Sequence, residues 1–368
     1  MKISGVELVR IELPLTSPFR TSFAVETVRD ALLVRVVSDG AEGWGECVAL
    51  ADPVYSSEYV DGCIDVLKRH FVPALVSAGP IGAHEVSPLL SRFHGHRMAK
   101  SALEMAVLDA ELREEGRSYA RELGATRTVV PCGVSVGIMD SHPELLAAVG
   151  GYLEAGYRRI KLKIEPGWDV EAVRAVRREF GDSVPLQVDA NTAYRRQDVA
   201  HLRRLDEFGL LLIEQPLPEE DLRGHAMLAA RLETPVCLDE SIVSAAAAAD
   251  AITLSACSIV NVKPGRVGGY LEARRVHDVC AAHGVPVWCG GMLETGIGRA
   301  ANLALAALPN FVLPGDISAS ERYYAEDITT PFTMADGHMA VPEGAGLGVA
   351  PIAAVLDRRA THREWLTP

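Results

Sequence analysis

From about residue 129 the sequence repeats one pattern: a short β-branched run, a break of Gly, Pro or Asp, a stretch of helical period, then the next run. Such alternation makes a parallel sheet covered by helices, because only a crossover connection returns the chain to the start of a parallel neighbour. The runs Val129–Val136, Arg158–Ile164, Val184–Asp189, Leu210–Glu214, Pro235–Asp239, Cys257–Val262, Val285–Cys289 and Phe311–Leu313 predict eight strands, enough to close a barrel. Ser141-x-x-Glu144 and Asp169 read as helix starts, and Gly156, Gly181, Gly209 and Gly284 as stops. No helix is evident after Pro314-Gly315-Asp316. The fold class is therefore α/β, a (β/α)8-type barrel in the form (β/α)7β.

The first 125 residues read differently. Lys2–Pro14, Ala31–Ser38 and Ala41–Val48 are strand-like, and Glu58–Leu75 and Met98–Glu114 are helical. The expected division is an N-terminal α+β capping domain over 1–125, a barrel over 126–324, and a C-terminal segment over 325–368 that packs back on one of them.

Net charge and cysteines narrow the function. The 368 residues carry a formal charge of −13 with no block of basic residues, which argues against nucleic acid and anionic membrane as partners. No apolar tract reaches the roughly 20 residues of a membrane span, and Glu7, Arg10 and Glu12 interrupt any secretory leader. Seven cysteines without a CxxC pair suit a reducing compartment, so a cytoplasmic enzyme of small molecules is expected.

Charged residues stand at five consecutive strand ends: Lys163, Asp189, Glu214, Asp239 and Lys263, at intervals of 26, 25, 25 and 24 residues. A spacing near one βα unit puts all five at one height on the C-terminal rim, where barrel active sites are built. In Lys161-Leu162-Lys163 the period of two turns both lysines inward. Asp189, followed by Asn191 and Thr192, could equally cap a helix. Three carboxylates on neighbouring strands, however, raise one another's pKa unless a cation sits among them. An oxygen-only set suits Mg²⁺, with Mn²⁺ or Co²⁺ able to substitute, better than zinc.

Lys163 and Lys263 lie four strands apart, facing each other across the mouth. Two proton carriers on opposite faces of one carbon, with a metal on the adjoining carboxylate, perform racemisation or epimerisation. A lysine base needs a pKa below its ordinary ~10.4. Lys161, Arg266 and the metal are expected to lower it. Two other classes compete. Gly133-Val134-Ser135-Val136-Gly137 matches a serine-hydrolase elbow, with Asp239 and His283 in chain order, although the following helix starts late. A purely structural metal site is the other, and the buried lysines speak against it.

The motifs together resemble the enolase superfamily, in the branch containing o-succinylbenzoate synthase and N-acylamino acid racemase. The resemblance rests on Gly43-Trp44-Gly45-Glu46, Lys161-Leu162-Lys163, Val188-Asp189-Ala190-Asn191, Ile213-Glu214-Gln215-Pro216, Leu238-Asp239-Glu240-Ser241, Asn261-Val262-Lys263-Pro264-Gly265-Arg266 and Gly290-Gly291-Met292-Leu293-Glu294-Thr295. It implies that Asp189, Glu214 and Asp239 are metal ligands and that Lys163 and Lys263 are the acid/base pair, a Lys base with Mg²⁺ being the enolase-type arrangement. It also implies supporting roles for Asn191 and Glu240. A pocket would involve Ser135, Gly291, Met292 and the loops Pro18–Phe23 and Asp52–Ser57, where Phe19, Phe23 and Tyr55 could enclose an apolar side chain. The substrate class it implies is a small carboxylate such as an N-acylamino acid, and the assembly a homo-oligomer. Within the branch, Arg266 beside Lys263 favours racemase over synthase, and dipeptide epimerase and muconate cycloisomerase remain as further options.

Overall fold

The computed structural model describes residues 1–367. Three antiparallel strands open the chain: β1 (Ile3–Arg20), β2 (Val25–Ser38) and β3 (Glu42–Cys47). The helix Arg97–Glu114 packs on this sheet. Two glycines of β3 permit the contact. A Cβ on Gly45 would come within 2.0 Å of the Ala102 carbonyl oxygen, and one on Gly43 within 2.2 Å of that of Ala106. Helix backbone thus lies directly on strand backbone. The expected helical run Glu58–Leu75 is a continuous helical path from Val60 to Ser77 with a widened turn over Leu67–Phe71.

The second half contains β4 (Val129–Pro131), β5 (Gly133–Val136), β6 (Arg159–Lys163), β7 (Leu186–Asp189), β8 (Ile213–Glu214), β9 (Val236–Leu238), β10 (Ile259–Val262) and β11 (Val287–Cys289). Strands β5 to β11 form one seven-stranded parallel sheet in sequential order. A helical segment follows each, ending with Gly296–Ala306 after β11. Ser141 Oγ accepts from Glu144 N, and Asp169 Oδ1 from Val170 N, so both expected caps form.

Two expectations need correction. The run Val129–Val136 is two strands, because β4 leaves the barrel to pair antiparallel with β12 (His338–Ala340). The run Phe311–Leu313 is no regular strand. Phe311 makes one parallel bridge to Val287 and Gly315 one to Cys132, while Asp316 N donates to Cys289 O and Gly133 N to Gly315 O. Residues 311–316 thereby join β11 to β5, and Pro314, which has no N–H, interrupts the ladder. In the C-terminal segment the helix Ala353–Arg359 leads into β13 (Ala360–Leu366), which pairs with β1.

Buried carboxylates of the first 125 residues seat helices of the second half. Glu46 on β3 accepts from Thr295 and Gly298 at the start of Gly296–Ala306, and Glu104 accepts from Leu271 N at the start of Tyr270–Ala282. Such acceptors satisfy N–H groups that a helix leaves unpaired at its start. Among the described residues no helix is long and apolar enough to cross a membrane. All seven cysteines are unpaired and buried.

Candidate active site

Strand register brings the rim charges together. Lys163 on β6 stands level with Asp189 on β7, and Asp189 with Glu214 on β8. Asp239 and Lys263 follow β9 and β10 by one residue. All five are buried. In the sheet order β10 and β6 are four strands apart, so the two lysines approach the mouth from different sides.

The ammonium groups hold the carboxylates directly. Lys161 Nζ lies 3.0 Å from Asp189 Oδ2 and 3.0 Å from Glu214 Oε2. Lys163 Nζ donates to Asp189 Oδ2 at 2.6 Å and to Asn191 Oδ1 at 2.7 Å. Lys263 Nζ donates to Asp239 Oδ2 at 2.7 Å and to the Tyr55 hydroxyl at 2.9 Å. The like-charge conflict that pointed to a cation is thus met here by lysines. Among the described residues no three His, Cys, Asp or Glu side chains come close enough to hold one ion together. The donor chemistry still fits a hard cation: Asp189, Glu214 and Asp239 offer only oxygen, and beside them Glu240 Oε2 is buried without a hydrogen-bond partner among the described residues.

Burial and charge set the protonation of this cluster. Burial, then the Asp189 charge, pushes Glu214 up to about 8. Burial would also raise Asp189, but Lys163 and Lys161 outweigh it and hold Asp189 well below the usual carboxylate range. Glu240 is raised well above that range, by burial and then by Asp239. For Lys263, burial works downward and is overcome by Asp239, Glu240 and Glu214, so it is raised. The expected depression by Arg266 is therefore not seen. Its guanidinium, itself pushed down to about 9 by burial, spends its charge nearby: Nε sits 3.2 Å from Asp239 Oδ1, and Nη1 donates to Glu240 O at 3.1 Å.

Asn191 does not serve as a simple helix cap. Its Oδ1 takes Lys163, its Nδ2 donates to Glu240 Oε1 at 3.0 Å, and its backbone N donates to Asp189 Oδ1. Gln215, missed in the sequence reading, steadies the next strand end by accepting from Asp239 N and Ser241 N.

One pocket takes in both lysines. Its lining includes Lys161, Lys163, Lys263, Asn191 and Ser135, with Gly291 and Met292 beyond β11. Phe19 at the end of β1, Phe23, Tyr55 and Leu50 come from the capping half. Phe23 and Tyr55 lie 5.7 Å apart, and Ser22 Oγ donates to Asn191 O, fastening the capping turn to the rim. Tyr55 also accepts from Arg266 and lies under both the Lys263 and Arg266 cations. Thr21, Glu26, Leu293, Asp316 and Tyr323 complete the wall, and of these Glu26, Leu293, Asp316 and Tyr323 were not foreseen. Asn261, which donates to Glu214 Oε1 at 2.6 Å, was also missed, though it sits two residues before Lys263 on the inward face.

The serine-hydrolase geometry is absent. Ser135 lies within β5, its buried Oγ has no partner among the described residues, and the next helix begins only at His142. His283 is exposed at the far end of Tyr270–Ala282, and Asp239 is taken by Lys263. No relay links the three.

Comparison with known proteins agrees with this architecture. Residues 4–124 match the mandelate racemase / muconate lactonizing enzyme N-terminal domain, and residues 144–355 the enolase C-terminal domain-like family. An N-succinylamino acid racemase from Amycolatopsis sp is 68% identical over 366 residues, covering 100% of both chains. An o-succinylbenzoate synthase from Geobacillus kaustophilus is 46% identical over 365 residues, covering 99% of this chain and 96% of that one. The crystal structure of an enolase-superfamily member from Listeria innocua Clip11262 superposes with a TM-score of 0.95 at 40% identity, covering 100% and 99% of the two chains. The seven-stranded parallel barrel, its capping sheet and these matches together establish that the chain belongs to the enolase superfamily.

Proposed function

We propose that the chain racemises N-acylamino acids, N-succinylamino acids foremost, by moving the α-proton between Lys163 and Lys263 in a Mg²⁺-dependent reaction. The observation that carries this reading is that both lysines enter one largely apolar pocket from strands four apart, with three carboxylates on the arc between. Full-length likeness to a racemase of that name supports the substrate class. Asp189, Glu214 and Asp239 would hold the cation, which when bound supplies positive charge to the substrate carboxylate. Asn191 and Glu240 brace the ligand ends, and Lys161 offers a fixed ammonium to the same carboxylate. Phe19, Phe23, Leu50 and Met292 exclude water around the side chain. Whichever lysine is neutral removes the proton, and the opposite ammonium returns one to the other face. Seven reduced, buried thiols support residence in the cytoplasm.

A second reading, o-succinylbenzoate synthase activity, is favoured by the 46% identical relative of that name. The same pocket could then remove one α-proton while a β-hydroxyl departs, with the opposite lysine serving as a cation. ¹H NMR of enantiopure N-succinyl-L-phenylalanine in D₂O, with Mg²⁺ and an EDTA control, tests the first reading. Loss of the α-proton signal with appearance of the D-enantiomer, only when metal is present, supports it. Persistence of that signal with folded, metal-supplied protein overturns it and leaves the synthase reading.

A further inference from the structure

Each lysine at the mouth donates both to the proposed ligand set and to one group outside it. For Lys163 the outside group is the Asn191 amide, and for Lys263 the Tyr55 hydroxyl. For Lys161 it is a third buried carboxylate, Asp316, whose Oδ2 lies 2.5 Å from Nζ. We propose that Asp316 is a positioning residue that keeps Lys161 paired and in place when a divalent cation occupies Asp189 and Glu214. This rests on the metal site proposed above.

Lys161 is 2% exposed, and its ammonium has three carboxylate neighbours: Asp189, Glu214 and Asp316. A cation on Asp189 and Glu214 would claim two of them and repel the ammonium. A buried ammonium left without a counter-ion is costly, so the third carboxylate decides whether both cations can share the site. Asp316 is built to stay. Its Oδ1 accepts from Arg159 Nη1 at 2.7 Å, its backbone N donates to Cys289 O, and Arg159 Nη2 donates to Pro314 O at 2.7 Å. The Trp288 ring lies 5.2 Å from the Arg159 guanidinium and 4.9 Å from Lys161 Nζ, flanking the pair. Asp316 therefore ties the segment that closes the barrel to a lysine that faces substrate.

Asp316→Asn isolates the Lys161 contact, because Oδ1 can still take Arg159 while an amide N–H₂ turns toward the ammonium. Lys161 would then have only Asp189 and Glu214, and would compete with the cation for them. The test titrates EDTA-stripped protein with Mn²⁺ and follows free Mn²⁺ by EPR. Wild type is expected to bind one Mn²⁺, and Asp316→Asn to raise its Kd about ten-fold or more. In a Lys161→Met background the same substitution is expected to change Kd less than about three-fold, since the coupling runs through Lys161. Asp316→Ser, should the Asn variant fail to fold, is expected to give the same coupling. An equal loss with and without Lys161 overturns the positioning role, as does no loss at all. Wild type that binds no Mn²⁺ overturns the proposed metal site itself, and this role with it.

Discussion

Glu46 on β3 accepts from the backbone N–H groups of Thr295 and Gly298, at 3.0 and 2.9 Å, and from the Thr295 hydroxyl at 2.7 Å. One side chain of the capping sheet thus satisfies the start of a barrel helix 249 residues along the chain. Removing it strands buried donors. Glu46→Ala is expected to destabilise the protein by about 3 kcal/mol, and Glu46→Gln, which keeps an acceptor, by less. Urea unfolding of the two variants measures this, and equal losses would show that the hydrogen bonds do not hold the junction.

Lys163→Ala and Lys263→Ala are each expected to lose racemisation by about 10³-fold. Each should retain exchange of the α-proton with solvent for one enantiomer, and the two variants should differ in which one. Separate D₂O exchange of the two N-succinyl enantiomers reads this out. A single variant that exchanges both would contradict the assignment of one lysine to each face.

Tyr55→Phe keeps the ring beneath Lys263 and Arg266 but removes the hydroxyl that accepts from both. The expected result is a kcat lowered about ten-fold with KM changed less than about two-fold, because the hydroxyl orients a lysine rather than gripping substrate. Steady-state kinetics decides the point: a change confined to KM would make Tyr55 a substrate contact instead.

His225 is buried, accepts from Leu217 N at 3.2 Å, and is pushed down to about 4 by burial, with the neighbouring Asp221 carbonyl working the other way. Between its ordinary 6.5 and about 4 the unfolded chain binds a proton that the folded chain does not. The stabilising contribution is therefore complete above pH 6.5 and lost as pH falls toward 4, amounting to about 3 kcal/mol over that window. Urea unfolding at pH 7, 6, 5 and 4 should show a shallower decline in His225→Gln than in wild type. Parallel curves would mean that His225 does not set the acid slope.

Much of this architecture was legible from one periodicity. A βα spacing that recurs with a charge at each strand end leaves few choices, because parallel neighbours in register must present those residues at one level. Lys163, Asp189 and Glu214 do stand level. The eighth run was legible as a closing segment but not in its form, since Phe311–Leu313 is strand-like in composition while the bonds that close the ring lie largely on Gly315 and Asp316. Pairing of β13 with β1 was likewise hidden, because strand partners distant in sequence leave no local trace.

By itself the sequence determined which side chains can meet, through strand period, turn residues and the interval of one βα unit. Only the tertiary structure decided how they are charged and held. Lys263 is raised rather than lowered, because Asp239, Glu240 and Glu214 converge on it while Arg266 turns toward Tyr55 and the Glu240 backbone. Asp316 becomes a partner of Lys161 only where the chain closes back on β5. Electrostatic interactions depend on distance and burial through the folded interior, and neither is a property of sequence spacing.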